Sequence, residues 1–261
     1  MRLVKTPPVA DQADRPRALP ELALVVGLFL AYKLARLLIQ GRDDVAFANA
    51  WRVWDLERFL HLPGEETVQH TIIGHPTLLE AANSFYAYVH FPATAAFLLW
   101  MFLRRPAYYR WARRGLAGLT AAAMVVHVLL PLAPPRMLTG TGIMDTGHLV
   151  GPAVYGDPAT DTLTNQYAAM PSLHVGWALA VAVTLIAVTR GPWRWAWLLH
   201  PTLTLLVVLV TGNHYWLDGI IAAGLFALVV LVNPWPDPEP HPFFGRAARQ
   251  PMPTLGAEQP A

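Results

Sequence analysis

The 261-residue chain contains no cysteine, which excludes disulfides, thiol nucleophiles and cysteine-bound metal clusters. It is also poor in charge: 14% of residues are Asp, Glu, Lys or Arg while 54% are hydrophobic, and the apolar residues fall in long runs. That combination belongs to an integral membrane protein. The formal charge is only +2 and no nucleic-acid motif accompanies it, so no nucleic-acid partner is expected. No repeat of solenoid period is present. The chain reads as one membrane domain over roughly 21–233, between a polar leader, 1–20, and a Pro-rich tail, 234–261, that is expected to be disordered.

Six runs approach the ~20 apolar residues that a bilayer-spanning helix needs: roughly 21–40, 77–103, 115–132, 171–189, 195–211 and 214–233. The predicted fold is therefore all-α, a polytopic membrane bundle of about six transmembrane helices with an added interfacial helix. Lys33 and Arg36 interrupt the first run near its end, either snorkelling to an interface or facing a polar interior. A polar leader ahead of that run and five further runs after it argue against a cleaved signal peptide. Orientation follows from the basic residues, which are retained in cytoplasmic loops. Arg2, Lys5, Arg15 and Arg17 precede the first run, five arginines from Arg104 to Arg114 separate the second from the third, and Arg190 and Arg194 separate the fourth from the fifth. The stretch 133–170, by contrast, has Arg136 as its single basic residue. A multi-pass cell-membrane protein with both termini in the cytoplasm is expected.

Between the first two runs, Phe47, Trp51 and Trp54 recur at helical spacing, and Val53, Leu56 and Leu60 widen the apolar side. This is the predicted interfacial helix, which either covers the outer ends of the spans or admits lipid. In the second run Asn83, Tyr86 and His90 share a stripe. Polar groups so placed face the protein interior or a wet cavity, as substrate contacts or as bonds between helices.

Two short motifs carry the chemistry. PSLH ends at His174 and GNHYWLD runs from Gly212 to Asp218, each setting a histidine at the start of an apolar run. With Asn213 as cap and His214 just inside a helix, His214 and Asp218 lie four apart on one face, so the carboxylate can hold the imidazole in one tautomer. The fourth and sixth runs cross in the same direction, which puts both histidines at one depth beside two helix amino ends that favour an anion. Ser172 adds a hydroxyl, and Arg136, in LAPPRML, adds a guanidinium fork suited to phosphate. The assembled parts make a phosphoryl site that requires no metal or other cofactor. His127 and His200 read as packing residues, and His61, His70, His75, His148 and His241 as loop residues.

These motifs resemble those of the type 2 phosphatidic acid phosphatase superfamily, with its PSGH-like helix start and its histidine followed four residues later by aspartate. PSLH, the HYWLD form, NAWRVWDLERFLHLPGEETVQ and NSFYAYVHFP are closer to the branch that contains inositol phosphorylceramide synthase, over roughly 45–230. The resemblance implies that His214 attacks phosphorus, Asp218 orients and charge-stabilises it, and His174 protonates the leaving alkoxide. Arg136, Ser172, Asn213, Tyr86 and His90 form the expected substrate side. The chain departs from the superfamily in having Pro-Pro-Arg at Pro134 to Arg136 where a lysine and a later Arg-Pro are usual. It also has Val208 where an arginine is usual. Lys33, Arg36 or the arginines of 41–76 are the candidates to supplement Arg136.

A histidine nucleophile divides phosphoryl transfer into formation and breakdown of a phosphohistidine. Water as acceptor gives a phosphatase; an alcohol or second lipid gives a phosphotransferase. The expected partners are a phosphorylated lipid in the bilayer and such an acceptor. Two other classes stay open: a non-catalytic membrane scaffold, and a haem electron-transfer protein using a depth-matched pair among His90, His127, His174 and His214.

Overall fold

The computed structural model describes residues 2–3, 17–156 and 164–236. Most of the predicted leader and nearly all of the predicted tail lie outside them. The chain forms an all-α bundle of α1 (Ala18–Ile39), α2 (Asp43–Phe59), α3 (Glu65–Ile73), α4 (Pro76–Tyr88) and α5 (His90–Arg104). It continues through α6 (Pro106–Leu129), α7 (Thr146–Val150), α8 (Leu173–Val188), α9 (Leu199–Val210) and α10 (Trp216–Val232). Two-residue strands, Arg2–Leu3 and Thr189–Arg190, pair antiparallel.

Helix boundaries follow the prolines. Pro76 and Pro106 open α4 and α6 at the position where the missing N–H has no helical partner to lose. The second apolar run, expected as one span, is instead bent by 44° between α4 and α5. Pro92 is the reason: it offers no N–H to the Tyr88 carbonyl and its ring crowds that carbonyl. The fifth run begins as a 3-10 stretch, Pro192–Leu198, before α9. α1 and the Pro192–Val210 unit are each long and apolar enough to cross a bilayer, the bent α4–α5 pair passes jointly, and α8 and α10 are shorter apolar helices. Leu22, Val26, Leu30, Leu34 and Leu37 of α1 stand exposed. Such a surface is covered by lipid, since water would not tolerate so continuous an apolar face.

α8 is the central helix, packed by α5, α6, α9 and α10. Gly176 permits this, because a Cβ there would stand 2.7 Å from Leu119 Cδ2 on α6.

α2 and α3 close one end of the bundle, with small residues of α2 innermost and part of its aromatic side packed beside them. The buried stripe of α2 is Ala46, Asn49, Ala50, Val53 and Glu57. Phe47 and Trp54 are partly buried against the cluster of Leu132, Ala133, Met170 and Tyr215, while Trp51 and Leu56 are exposed. Small residues let α2 come close, and its two polar ones find helix ends to satisfy. Asn49 Nδ2 donates to the Pro131 carbonyl at 2.9 Å and Arg42 Nη1 to the Val128 carbonyl at 2.7 Å, both beyond or at the end of α6. Glu57 Oε1 accepts the Leu217 N–H at 2.7 Å, in the first turn of α10.

Glu57 and Glu65 are both fully buried, and Arg58 donates to Glu65 at 2.5 Å and to Glu66 at 3.3 Å. Burial, followed by the hydrogen bond and charge of Glu65, pushes the Glu57 carboxyl up to about 9. It is therefore the neutral partner of the two at pH 7. Replacing it by Ala strands the Leu217 N–H and Glu65, at an expected cost of about 1–3 kcal/mol, whereas Gln copies the neutral acid and should cost little. A carboxyl with a raised folded pKa stabilises the fold fully below its ordinary 4.5 and loses that contribution as pH climbs to about 9. Thermal unfolding of the detergent-solubilised protein is expected to show a Tm that declines across this window and declines less in Glu57→Gln. Equal slopes in the two proteins would refute the assignment.

Candidate functional site

α8 and α10 begin side by side, and their starts are tied by the Ser172 N–H donating to the Asp218 carbonyl at 3.0 Å. Ser172 is the N-cap of α8, its Oγ accepting from Val175 N–H at 3.4 Å, so His174 sits in the first turn. α10 starts later than expected. Its N-cap is Tyr215, with Asn213 and His214 in the preceding turn, and Asp218 is the third residue of the helix. His214 and Asp218 meet because a capping carboxylate folds back over the chain that enters the helix, not because they share a helical face. Asp218 Oδ2 accepts the Tyr215 N–H at 2.9 Å and faces His214 Nδ1 at 3.0 Å.

The same Nδ1 lies 2.8 Å from the Ala169 carbonyl. Two acceptors face one ring nitrogen, so Nδ1 carries the hydrogen and Nε2 keeps its lone pair. The His174 ring is 5.7 Å from that of His214, stacked on Tyr86 at 4.5 Å and 4.8 Å from His90. The bend before α5 sets Tyr86, at the end of α4, and His90, at the start of α5, around this one ring. His90 is buried and its Nδ1 has no hydrogen-bond partner.

Arg136 arrives from a 3-10 turn, Pro135–Met137, after α6. Its N–H donates to the Gly212 carbonyl at 2.9 Å and its Nη1 to Asn213 Oδ1 at 2.5 Å. The guanidinium carbon lies 3.7 Å from the Tyr155 ring centre, a cation–π contact, and Nε is 3.6 Å from Asp145 Oδ2. Burial would raise the Asp145 carboxyl, but hydrogen bonds from His148 and Tyr155 and the charge of Arg136 hold it below the usual carboxylate range.

Arg136, Asn213, His174, His214, Tyr86 and His90 line one cavity of about 680 Å³. The structure thus brings together six of the eight sequence-predicted residues on its wall. Asp218 stands behind His214, fully buried. Ser172, expected to offer its hydroxyl to an anion, is fully buried, absent from the wall and used as the cap. None of the cations proposed to supplement Arg136 reaches the wall. Lys33 lies 5.7 Å from the Phe29 ring, Arg42 and Arg52 bond to Val128 and Asn49, and Arg58 pairs with Glu65. Asn83 bonds to the carbonyls of Thr146 and Gly151, away from the cavity.

Sequence reasoning passed over three contributors. His127, read as packing, is buried, lines the cavity, and its Nε2 lies 3.2 Å from the Pro171 carbonyl. Asp145 and Tyr155 frame Arg136 but sit in loop sequence with no periodic signal. Among the described residues no group of three His, Cys, Asp or Glu could hold a metal ion.

A family model described as the PAP2 superfamily matches residues 51–232. No curated protein and no solved structure matches the chain.

Gly212 opens the second motif and packs against the turn that carries Arg136. Its φ is +66°, and an added Cβ would meet Ile143 Cγ2 at 3.0 Å and Arg136 Cβ at 3.1 Å. Gly212→Ala should cost about 1–2 kcal/mol from the backbone conformation alone and shift Arg136. A Tm drop on thermal unfolding checks this; an unchanged Tm would contradict the close packing described.

Proposed function

The chain belongs to the PAP2 superfamily, and from that premise we propose that it is a membrane lipid phosphatase or lipid phosphotransferase working through a phosphohistidine on His214. Family membership supports a lipid phosphatase-type activity on a phosphorylated lipid or phosphate ester. The observation that carries the finer reading is the pair of acceptors at His214 Nδ1, Asp218 Oδ2 at 3.0 Å and the Ala169 carbonyl at 2.8 Å. They leave Nε2 unprotonated on a ring that lines the cavity.

In the first step Nε2 of His214 forms a bond to phosphorus and the phosphorus–oxygen ester bond breaks. The leaving oxygen takes a proton from His174, and Asp218 offsets the positive charge that develops on His214. In the second step the oxygen of water, or of an alcohol, attacks the phosphohistidine. Its proton goes to His174, and His214 is returned. Arg136 and Asn213 sit where they can hold the phosphoryl oxygens, and charge stabilisation of this kind is the main demand of phosphoryl transfer. Transfer to an alcohol acceptor is the reading that the inositol phosphorylceramide synthase-like motifs favour. The arginine distribution supports a site on the outer membrane face with both termini in the cytoplasm. Reporters fused after Arg114 should then read cytoplasmic, and a tag near Thr146 should be reached from outside; opposite labelling would invert the site.

His214→Ala should abolish phosphoenzyme, while His174→Ala should retain turnover of aryl phosphates, whose phenolate leaves with less help from a proton. Asp218→Asn should bind substrate yet lower kcat, because the charge that balances the cation developing on His214 is lost while the Ala169 carbonyl still holds Nδ1. A panel of phosphorylated lipids with and without alcohol acceptors, followed for released phosphate or for a transferred product, tests the reaction. Normal turnover by His214→Ala would end the phosphohistidine reading.

A further inference from the structure

The cavity is much longer than a phosphate needs. From the His174–His214 end it continues between three helices. Leu24, Val25, Leu28 and Phe29 of α1 form one wall, Phe91, Thr94 and Leu98 of α5 the second, and Leu116, Ala117 and Thr120 of α6 the back. The two threonines on these walls turn their hydroxyls to their own helices, Thr94 to the His90 carbonyl at 3.0 Å and Thr120 to the Leu116 carbonyl at 2.7 Å. What remains is a hydrocarbon surface. Val25, Phe29 and Phe91 are more than half exposed, and α1 packs along α6, so the groove opens sideways between α1 and α5, the side that faces lipid.

The far end is closed by polar groups. Glu21 Oε2 accepts the Tyr109 hydroxyl at 2.7 Å, and Arg113 Nη1 pairs with the other oxygen of Glu21. All three residues line the cavity. The α1 wall from Tyr32 to Glu21 covers eleven residue-to-residue steps, about 16 Å of helix. A zigzag of ~1.5 Å carbon–carbon bonds covers that length in roughly thirteen bonds.

We propose that this groove seats one hydrocarbon chain of the substrate, and that the Glu21–Tyr109–Arg113 cluster is the stop that limits its length. The proposal rests on the phosphoryl reading of the head of the cavity and adds to it a limit on the length of the apolar chain, set by this cluster. Two features argue for a chain. The groove has an anion-favouring end and an apolar shaft, the order of parts in an amphiphile, and its open side lets such a molecule slide in from the bilayer without leaving an apolar medium. The stop follows from the cost of pressing methylene groups onto a part-exposed charged pair that they would desolvate without replacing its hydrogen bonds.

The test uses the full-length protein in detergent micelles with single-chain alkyl phosphates of increasing length at fixed mole fraction, and p-nitrophenyl phosphate as the tail-less reference. The ratio of kcat/KM for each alkyl phosphate to that for the reference should climb with length to roughly thirteen carbons and fall beyond. Ala117→Trp, which fills the shaft, should lower the long-chain ratio at least tenfold and move the optimum to shorter chains. A ratio that is flat with length, or unchanged in Ala117→Trp, overturns the groove. A non-hydrolysable alkyl phosphonate of matching length with a terminal photoreactive group gives a reading independent of turnover. It should label the α1 and α6 residues next to Glu21 and Arg113. Labelling there without turnover of any substrate would keep the groove and sink the enzymatic reading; turnover with labels confined to other faces would do the reverse.

Discussion

Oδ2 of Asp218 does two things at once. It accepts the Tyr215 N–H that starts α10 and the Nδ1 hydrogen of His214. A fully buried carboxylate must be compensated by hydrogen bonds to be tolerated at all, and here the compensation comes from the helix start and the histidine together. Neighbouring bonds fix that helix start in turn: Glu57 from α2 holds the Leu217 N–H, and the Ser172 N–H holds the Asp218 carbonyl. The separation of the two site histidines and the tautomer of His214 are therefore properties of how α2, α8 and α10 are joined, and not of the histidines alone.

Around this joint, backbone groups that the membrane could not satisfy are taken up by buried amides. Gln69 of α3 donates to the carbonyls of Met144 and Val210 and accepts the Met144 N–H. Asn83 donates to the carbonyls of Thr146 and Gly151 and accepts the Thr146 hydroxyl. These amides place the segment that carries Asp145 against the ends of α4 and α9. The irregular chain at the site is thus sealed by side chains from regular helices, as required wherever non-helical backbone lies at membrane depth.

The bundle was legible in the sequence because apolar runs and prolines are local signals, and the positions of all six runs reappear in α1, α4–α5, α6, α8, Pro192–Val210 and α10. The meeting of His174 and His214 was legible through two motifs at the starts of parallel runs, and that of Arg136 through its place directly after the third run. The details that differed depend on contacts across the chain. The start of α10, capped by Asp218, is held in place by Glu57, 160 residues before Leu217, and the buried face of α2 by partners after α6. The buried stripe of α2 leaves no strong periodic trace, so the aromatic spacing showed Phe47 and Trp54 at the packed side but not the small residues that lie innermost. Ser172 illustrates the same limit, since a hydroxyl at a helix start serves equally as cap or as ligand until its neighbours are known.

Arg136 is framed by Tyr155 on its face, by Asn213 on one edge and by the ionised Asp145 near Nε. A phosphate arriving there meets a cation whose field is already shared with an anion. On the proposed reading, inorganic phosphate would be held less tightly there than on an unaccompanied guanidinium, so the group proposed to steady the reacting phosphoryl would also let the spent product depart.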